Sequence, residues 1–213
     1  MNKYYVWRYR TFDVLKKKMR LGQFKNVLDL GADSDYFKTL LNPNRYVSVD
    51  SVKILKHFGI NSFEPDVDMD LDTIKKYPFK DKEFDLIIAS QVLEHLHNID
   101  HAISEIKRIS SRFLLIGLPN DMRIDTRLRC LFGINPINIS KFAHCRLFDA
   151  YNSDSFISEN FKEFKIVCKV LIYTGTGESH IPNKIRLMLP KISKNLFAGE
   201  IYYLLEKHSE RNG

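Results

Sequence analysis

Between residues 25 and 118 the chain switches hydrophobic period again and again. Short apolar runs, "NVLDLG", "RYVSVD", "FDLIIAS" and "RFLLIGLP", alternate with stretches of helical spacing. No other feature constrains the fold as strongly. A strand, a helix and a second strand of the same sheet connect as a right-handed βαβ unit, so repeated alternation builds a parallel sheet with helices on both faces. These strands lack polar alternation, as expected where both faces are covered. "FKIVCKVLIY" and "LFAGEIYYLLEK" follow with no crossover helix between them, which predicts antiparallel pairing. The expected fold class is α/β: a doubly wound, mostly parallel sheet of about seven strands with an antiparallel last strand.

The helices have readable ends. "SDYFKTLL" stops at Asn42-Pro43, and "VKILKHF" stops at Gly59. "NIDHAISEIKRIS" places Ile99, Ala102, Ile103, Ile106 and Ile109 on one face, with Asn98 as its cap. Before the sheet, Val6, Tyr9, Phe12, Val14 and Leu15 predict an N-terminal helix over 3–20, closed by Lys16 to Lys18. "EPDVDMDL" reads as a weak, acidic third strand. A length of 213 residues fits one domain over 1–213. Its core spans 25–173 and 197–207, with an excursion over 174–196.

Composition narrows the setting. Cys130, Cys145 and Cys168 form no CxxC pair, which favours a reducing compartment. "MNKYYVWRYR" lacks the apolar stretch of a secretion signal. No run approaches the roughly 18 apolar residues of a membrane span. The expectation is a soluble, cytoplasmic protein. A net charge of +7 permits an anionic partner without requiring one.

"VLDLGADSDYF", Val27 to Phe37, carries the ligand question. In doubly wound sheets ligands sit beyond the C-terminal strand ends, where strand order reverses. Asp50 lies 19 positions after Gly31, close to the spacing of an acid that grips a ribose diol. The competing reading is a strand-end acid capping the next helix. The loop departs from a dinucleotide site, which needs further glycines for approach to a pyrophosphate. Asp33 and Asp35 stand there instead. At roughly 4 Å and an effective dielectric near 20, each like-charge pair costs about 4 kcal/mol. A cationic ligand, S-adenosylmethionine with its sulfonium and ammonium, suits such a loop. "YTGTGESH" has glycines but no Gly-Lys-Ser/Thr, so it reads as a turn.

Together, Val27–Phe37, "YVSVD", "DMDL" and "FDLIIASQVLEHLHN…AISEIKRIS…LLIGLPN" resemble class I S-adenosylmethionine-dependent methyltransferases, in the branch with "VLEHL" after strand four. The resemblance covers about residues 25–150 and implies a Rossmann-like sheet. It implies that Asp29, Gly31, Ala32 and Asp33 line the methionine end of the cofactor. It places Asp50 at the ribose, Ser51 and Val52 beside the adenine, Asp70 at the adenine amino group and Leu71 against the ring. Asp66, Asp68 and Asp72 crowd Asp70, so that assignment is open by one alternation step. Ser90 and Gln91 would face the methionine part.

Methyl transfer asks the protein mainly to position and desolvate, with a general base where the acceptor is a hydroxyl or amine. His144, in "AHCRLF", is the candidate base or acceptor contact; a surface or packing histidine is the alternative. Arg146 is a candidate for binding an anionic acceptor, and Asn120, after "GLP", is placed at the same mouth. His95 and His97 sit two apart, which is not one helical face, so no metal site is expected. The Asn-Pro-Pro-Tyr/Phe motif of adenine-N6 methyltransferases is absent after "FDLIIAS", and nucleic acid is not the expected partner. The expected acceptor is a small molecule, a sugar or lipid-linked glycan intermediate by resemblance. A catalytically inactive binding or scaffold protein and, behind it, a nicotinamide oxidoreductase are the rival readings. Finally, residues 181–197 mix Lys184, Arg186, Lys191 and Lys194 with Ile and Leu. They read as a lid on the core, or as a weak peripheral contact with an anionic membrane.

Overall fold

The computed structural model describes residues 14–19, 21–134, 144–172 and 193–208. Seven strands form one sheet: β1 (Asn26–Leu30), β2 (Arg45–Asp50), β3 (Val67–Asp68), β4 (Phe84–Ser90), β5 (Ser110–Pro119), β6 (Phe164–Ile172) and β7 (Glu200–Lys207). Their order is β3-β2-β1-β4-β5-β7-β6. β1 to β5 are mutually parallel, and β7 runs antiparallel between β5 and β6. The helices are α1 (Tyr36–Leu41), α2 (Val52–His57), α3 (Ile99–Ile109), α4 (Ile124–Leu131), α5 (Asn152–Asn160) and α6 (Lys194–Phe197), with a 3₁₀ turn at Leu93–His95 after β4. Of the expected N-terminal helix, 14–19 is helical and 3–13 lies outside the described residues. The excursion over 174–192 also lies outside them.

The apolar strands face two cores because successive strand residues point to opposite faces. Ile87 joins Leu30, Ile103, Ile106 and Leu205 on one side, while Leu86 and Ile88 join Leu15, Phe37, Leu115 and Tyr202 on the other. At 25 cal/mol per Å² of apolar surface, such burial is the main stabilising term.

Two local expectations are revised. The third strand has only two residues. Here side chains replace the ladder: Asp66 Oδ2 accepts from Ser48 N and Ser48 Oγ at 2.8 Å each, and Asp68 Oδ1 accepts from Val52 N at 2.9 Å. Asn98 occupies the N-cap position of α3 without a side-chain cap bond. Its carboxamide donates to the Asp72 carbonyl at 2.8 Å instead.

A polar clasp ties α3 to the loop before β4. Arg108 reaches both Glu105 carboxylate oxygens, at 2.9 and 2.6 Å, and also Asp81 and the Phe79 carbonyl. Tyr77 N donates to Glu105 Oε2 at 2.7 Å. α4 is the opposite case: an eight-residue helix with no buried residue, and Leu128, Leu131 and neighbouring Phe132 exposed.

Removing the guanidinium leaves the Glu105 carboxylate sunk with one donor. Arg108→Ala is expected to destabilise the fold by about 3 kcal/mol. Arg108 holds the Glu105 carboxyl below its usual range. That stability is present above the unfolded carboxyl pKa, roughly 4.3, and is lost as pH falls through the folded value. Thermal melts between pH 7 and 3 check this: the parent loses more stability on acidification than Arg108→Ala. Equal melts for the two proteins would remove the clasp from the stability account.

Candidate active site

Strand order reverses between β1 and β4, so a crevice opens at their C-terminal ends. Gly31 closes β1 with φ +74°, and a Cβ built there would lie 2.2 Å from Val92 Cγ2. Both the backbone conformation and the space therefore require glycine. The N–H groups of Gly31 and Ala32 donate to the Val49 carbonyl at 2.8 and 3.2 Å. They are engaged by β2, which takes away the backbone donors a phosphate would need. Asp29, Gly31, Ala32, Asp33 and Ser90 come together around one small pocket, with Ser34, Tyr36 and Phe37. Asp29 is buried and accepts from the Tyr46 hydroxyl at 2.5 Å. Burial, with Asp29 alongside, pushes the Tyr46 phenol far up. Two carboxylates and no cationic side chain line this pocket, so it fits a sulfonium and an ammonium and disfavours a pyrophosphate. Asp35, the other acid of the loop, stands outside the lining and pairs with Lys38 at 3.6 Å.

The remaining cofactor candidates lie along the neighbouring strand ends rather than in the pocket. Asp50 Oδ1 accepts from Ser51 N at 2.6 Å. The first amide of α2, Val52 N, is held by Asp68, so capping of that helix falls to Asp68. Among the four aspartates between residues 66 and 72, Asp66, Asp68 and Asp72 each hold another part of the fold. Asp70 Oδ1 accepts from Asp72 N at 2.9 Å, within its own turn. Leu71 is buried, and its carbonyl accepts from Tyr77 Oη at 2.7 Å. Ser90 Oγ meets Tyr202 Oη at 3.0 Å. Gln91 has φ +59°, and its Nε2 is buried with no hydrogen-bond partner among the described residues.

The ends of β4 and β5 carry the second group. Cys145 N donates to the Glu94 carbonyl at 2.7 Å, and Arg146 donates to the Leu96 carbonyl at 2.5 Å. These bonds seat residues 144–146 on the 3₁₀ turn. His144 Nδ1 bonds Asp121 Oδ1 at 2.8 Å, and Asp121 Oδ2 accepts from Phe148 N at 2.9 Å. The Asp121 hydrogen bond raises the His144 pKa above its ordinary value. The His144 and His95 rings meet edge to face, 4.8 Å between centroids. Glu94 is fully buried beside them, and burial pushes its carboxyl up to about 8. His97, by contrast, turns away to Asp72, 2.9 Å from Oδ2.

Two candidates from the sequence are used by the fold. Asn120 is buried; its Nδ2 donates to the Ala198 carbonyl at 2.7 Å, and its Oδ1 accepts from Met122 N at 3.1 Å. Arg146 braces the turn after β4 through the Leu96 carbonyl. Sequence reasoning passed over Glu94 and Asp121. Adjacency to His95, and to Asn120 at a strand end, was the only available signal for them.

Gly31→Ala is expected to cost about 2–4 kcal/mol, part from the positive φ and part from the Val92 contact. Denaturant unfolding of Gly31→Ala in a Val92→Ala background separates the parts, since only the contact is relieved there. If Gly31→Ala unfolds at the parental midpoint, the close approach does not matter.

A family model described as "Methyltransferase domain" matches residues 6–152. Among curated proteins, none matches the chain in sequence. Among solved structures, the chain is similar to a SAM-dependent methyltransferase from Archaeoglobus fulgidus, with TM-score 0.60 and 15% identity over 97% of this chain and 95% of that one. It is similar to a methyltransferase from Bacillus halodurans, with TM-score 0.57 and 15% identity over 92% and 100%. It is also similar to the N-methyltransferase NodS from Bradyrhizobium japonicum, solved with S-adenosyl-L-homocysteine, with TM-score 0.53 and 14% identity over 95% and 87%. Sheet order, glycine turn and family match agree: the chain belongs to the methyltransferase-domain family and has the class I fold of S-adenosylmethionine-dependent methyltransferases.

Proposed function

We propose that this chain transfers a methyl group from S-adenosylmethionine to a small-molecule acceptor. The observation that carries the reading is the acidic pocket at Gly31, whose loop amides are held by Val49. When bound, the cofactor supplies the methyl group and its own leaving group. Asp29 and Asp33 would face its cationic end, with Ala32 and Ser90 beside it. The buried Gln91 carboxamide would donate to its carboxylate. Asp50 would accept from the ribose hydroxyls, Ser51 and Val52 would flank the adenine, Asp70 would accept from the adenine amino group and Leu71 would lie against the ring. The acceptor would enter over β4 and β5, where His144 is oriented by Asp121.

A sugar or lipid-linked glycan intermediate is the acceptor class we propose, on the "GLPN" and His-x-Arg-x-Phe layout. Membrane docking through 181–197 has less support. Of its four cations only Lys194 is among the described residues, and it lies 3.5 Å from Asp154 and over the Tyr151 ring. No helix among the described residues is long and apolar enough to cross a membrane.

Calorimetric titration with S-adenosylhomocysteine and, separately, NAD tests the reading. Binding of S-adenosylhomocysteine alone is expected; binding of NAD alone would point to an oxidoreductase, and binding of neither to an inactive scaffold. Asp50→Ala removes two charge-assisted hydrogen bonds, each worth roughly 1.5–3 kcal/mol. Affinity for S-adenosylhomocysteine should therefore drop at least tenfold in a folded variant. Parental affinity in that variant would take Asp50 out of the site.

A further inference from the structure

The cluster at the ends of β4 and β5 has a donor set that methyl transfer as read above does not use. Glu94, His95 and His144 each offer one ligand atom, and these atoms lie within 4.8 Å of one another. His95 Nε2 is 4.0 Å from Glu94 Oε1. Around a divalent ion with ligand distances of about 2.0–2.2 Å, donor atoms sit roughly 3–3.6 Å apart. Side-chain shifts of about an ångström would close this set onto one ion.

A second observation is independent of that spacing. Glu94 is 0% exposed, and neither of its carboxylate oxygens has a hydrogen-bond partner among the described residues. A buried carboxyl group is normally hydrogen-bonded, ion-paired or bound to a metal. Glu94 has two nitrogen ligands beside it in place of hydrogen-bond donors. Asp121 adds a third. By holding His144 Nδ1, it fixes the ring and leaves Nε2 for another partner. A carboxylate behind a ligating histidine is the usual outer support of a metal site.

We propose that Glu94, His95 and His144 form a binding site for a divalent first-row transition-metal ion, supported by Asp121. Two histidines and one carboxylate suit zinc, manganese, iron(II) or cobalt(II), and leave coordination positions open. Those positions lie at the C-terminal edge of the sheet, between the ends of β4 and β5. The inference rests on the methyltransferase reading only for what they take: an oxygen of the acceptor. His144 is then an ion ligand rather than a free general base. The expectation of no metal site came from the spacing of His95 and His97. The fold separates that pair and brings in His144 from beyond β5.

The test uses the full chain, stripped with a chelator. Zn²⁺ binding is followed by calorimetry, and Co²⁺ binding by its visible absorption. One saturable ion per chain is expected, with Mg²⁺ a poor competitor. Glu94→Gln, His95→Ala and His144→Ala should each weaken Zn²⁺ binding by well over tenfold. Asp121→Ala should weaken it 10–100-fold, as outer-shell losses do. His97→Ala should leave it unchanged, because that exposed ring faces Asp72. Circular dichroism confirms that each variant is folded. S-adenosylhomocysteine titration reports on the cofactor reading separately, so either conclusion can fail without the other. No saturable binding by the parent would overturn the site. So would ligand variants that bind like the parent, or affinity lost only in His97→Ala.

Discussion

The contact between Gly31 and Val92 is the tightest constraint at the point where the sheet changes direction. Gly31 ends β1, and Val92 follows β4, its parallel neighbour. With no Cβ at Gly31, the Val92 methyl occupies the space a side chain would take. The 3₁₀ turn that carries Glu94 and His95 begins directly after Val92. One packing contact thus ties the Gly31 turn, which lines the acidic pocket, to the turn that carries Glu94 and His95. A larger residue at 31 would push the two apart.

The rim is built from carboxylates that hold backbone rather than from regular ladder. Asp72 accepts from Asn98 N and His97 Nδ1, joining the turn after β3 to the start of α3. Asp121 does the same between the end of β5 and Phe148. At the opposite, N-terminal edge of the sheet the same device recurs, where Asp85 accepts from the amides of Lys25 and Asn26 at the entry to β1. These bonds replace secondary structure where the chain must turn sharply, and they explain why an acid-rich stretch such as 64–72 is ordered. They also sort its acids. Of its four aspartates, three are structural ties, and Asp70 is the one whose bond stays within its own turn.

The sheet was legible because its signal is local and periodic. β1, β2, β4 and β5 are apolar runs of the length a covered strand needs, and α3 has an unbroken stripe. The antiparallel pairing of β6 with β7 followed from the missing crossover. The third strand was overread, since Asp66 and Asp68 take up bonds that period alone cannot reveal. The glycine turn at Gly31 was readable from its place after an apolar run, and the spacing from it to Asp50 is what the proposed ribose contact rests on. The partners of Asn120 were not, because the carbonyls of residues 194–198 meet it only in three dimensions. His144 was singled out by its sequence surroundings. Its neighbours Glu94 and His95 lie a strand away, and no periodicity links them.

α4 lies just past Asp121, on the way from the acceptor-side cluster, and buries none of its residues. An isolated helix shorter than about 12–15 residues is marginal in water, so this one draws little support from packing. Its hold is at the first turn, where Arg127 Nε donates to the Met122 carbonyl at 2.8 Å and Arg123 pairs with Asp125. Its amide protons are therefore expected to exchange with solvent through local opening, at a small fraction of the free energy of global unfolding. β4 and β5, a few residues away, are buried central strands of the kind that open only with the whole domain. The boundary between slowly and rapidly exchanging backbone is therefore expected at Asn120 and Asp121, with a buried strand on one side and a weakly anchored helix on the other.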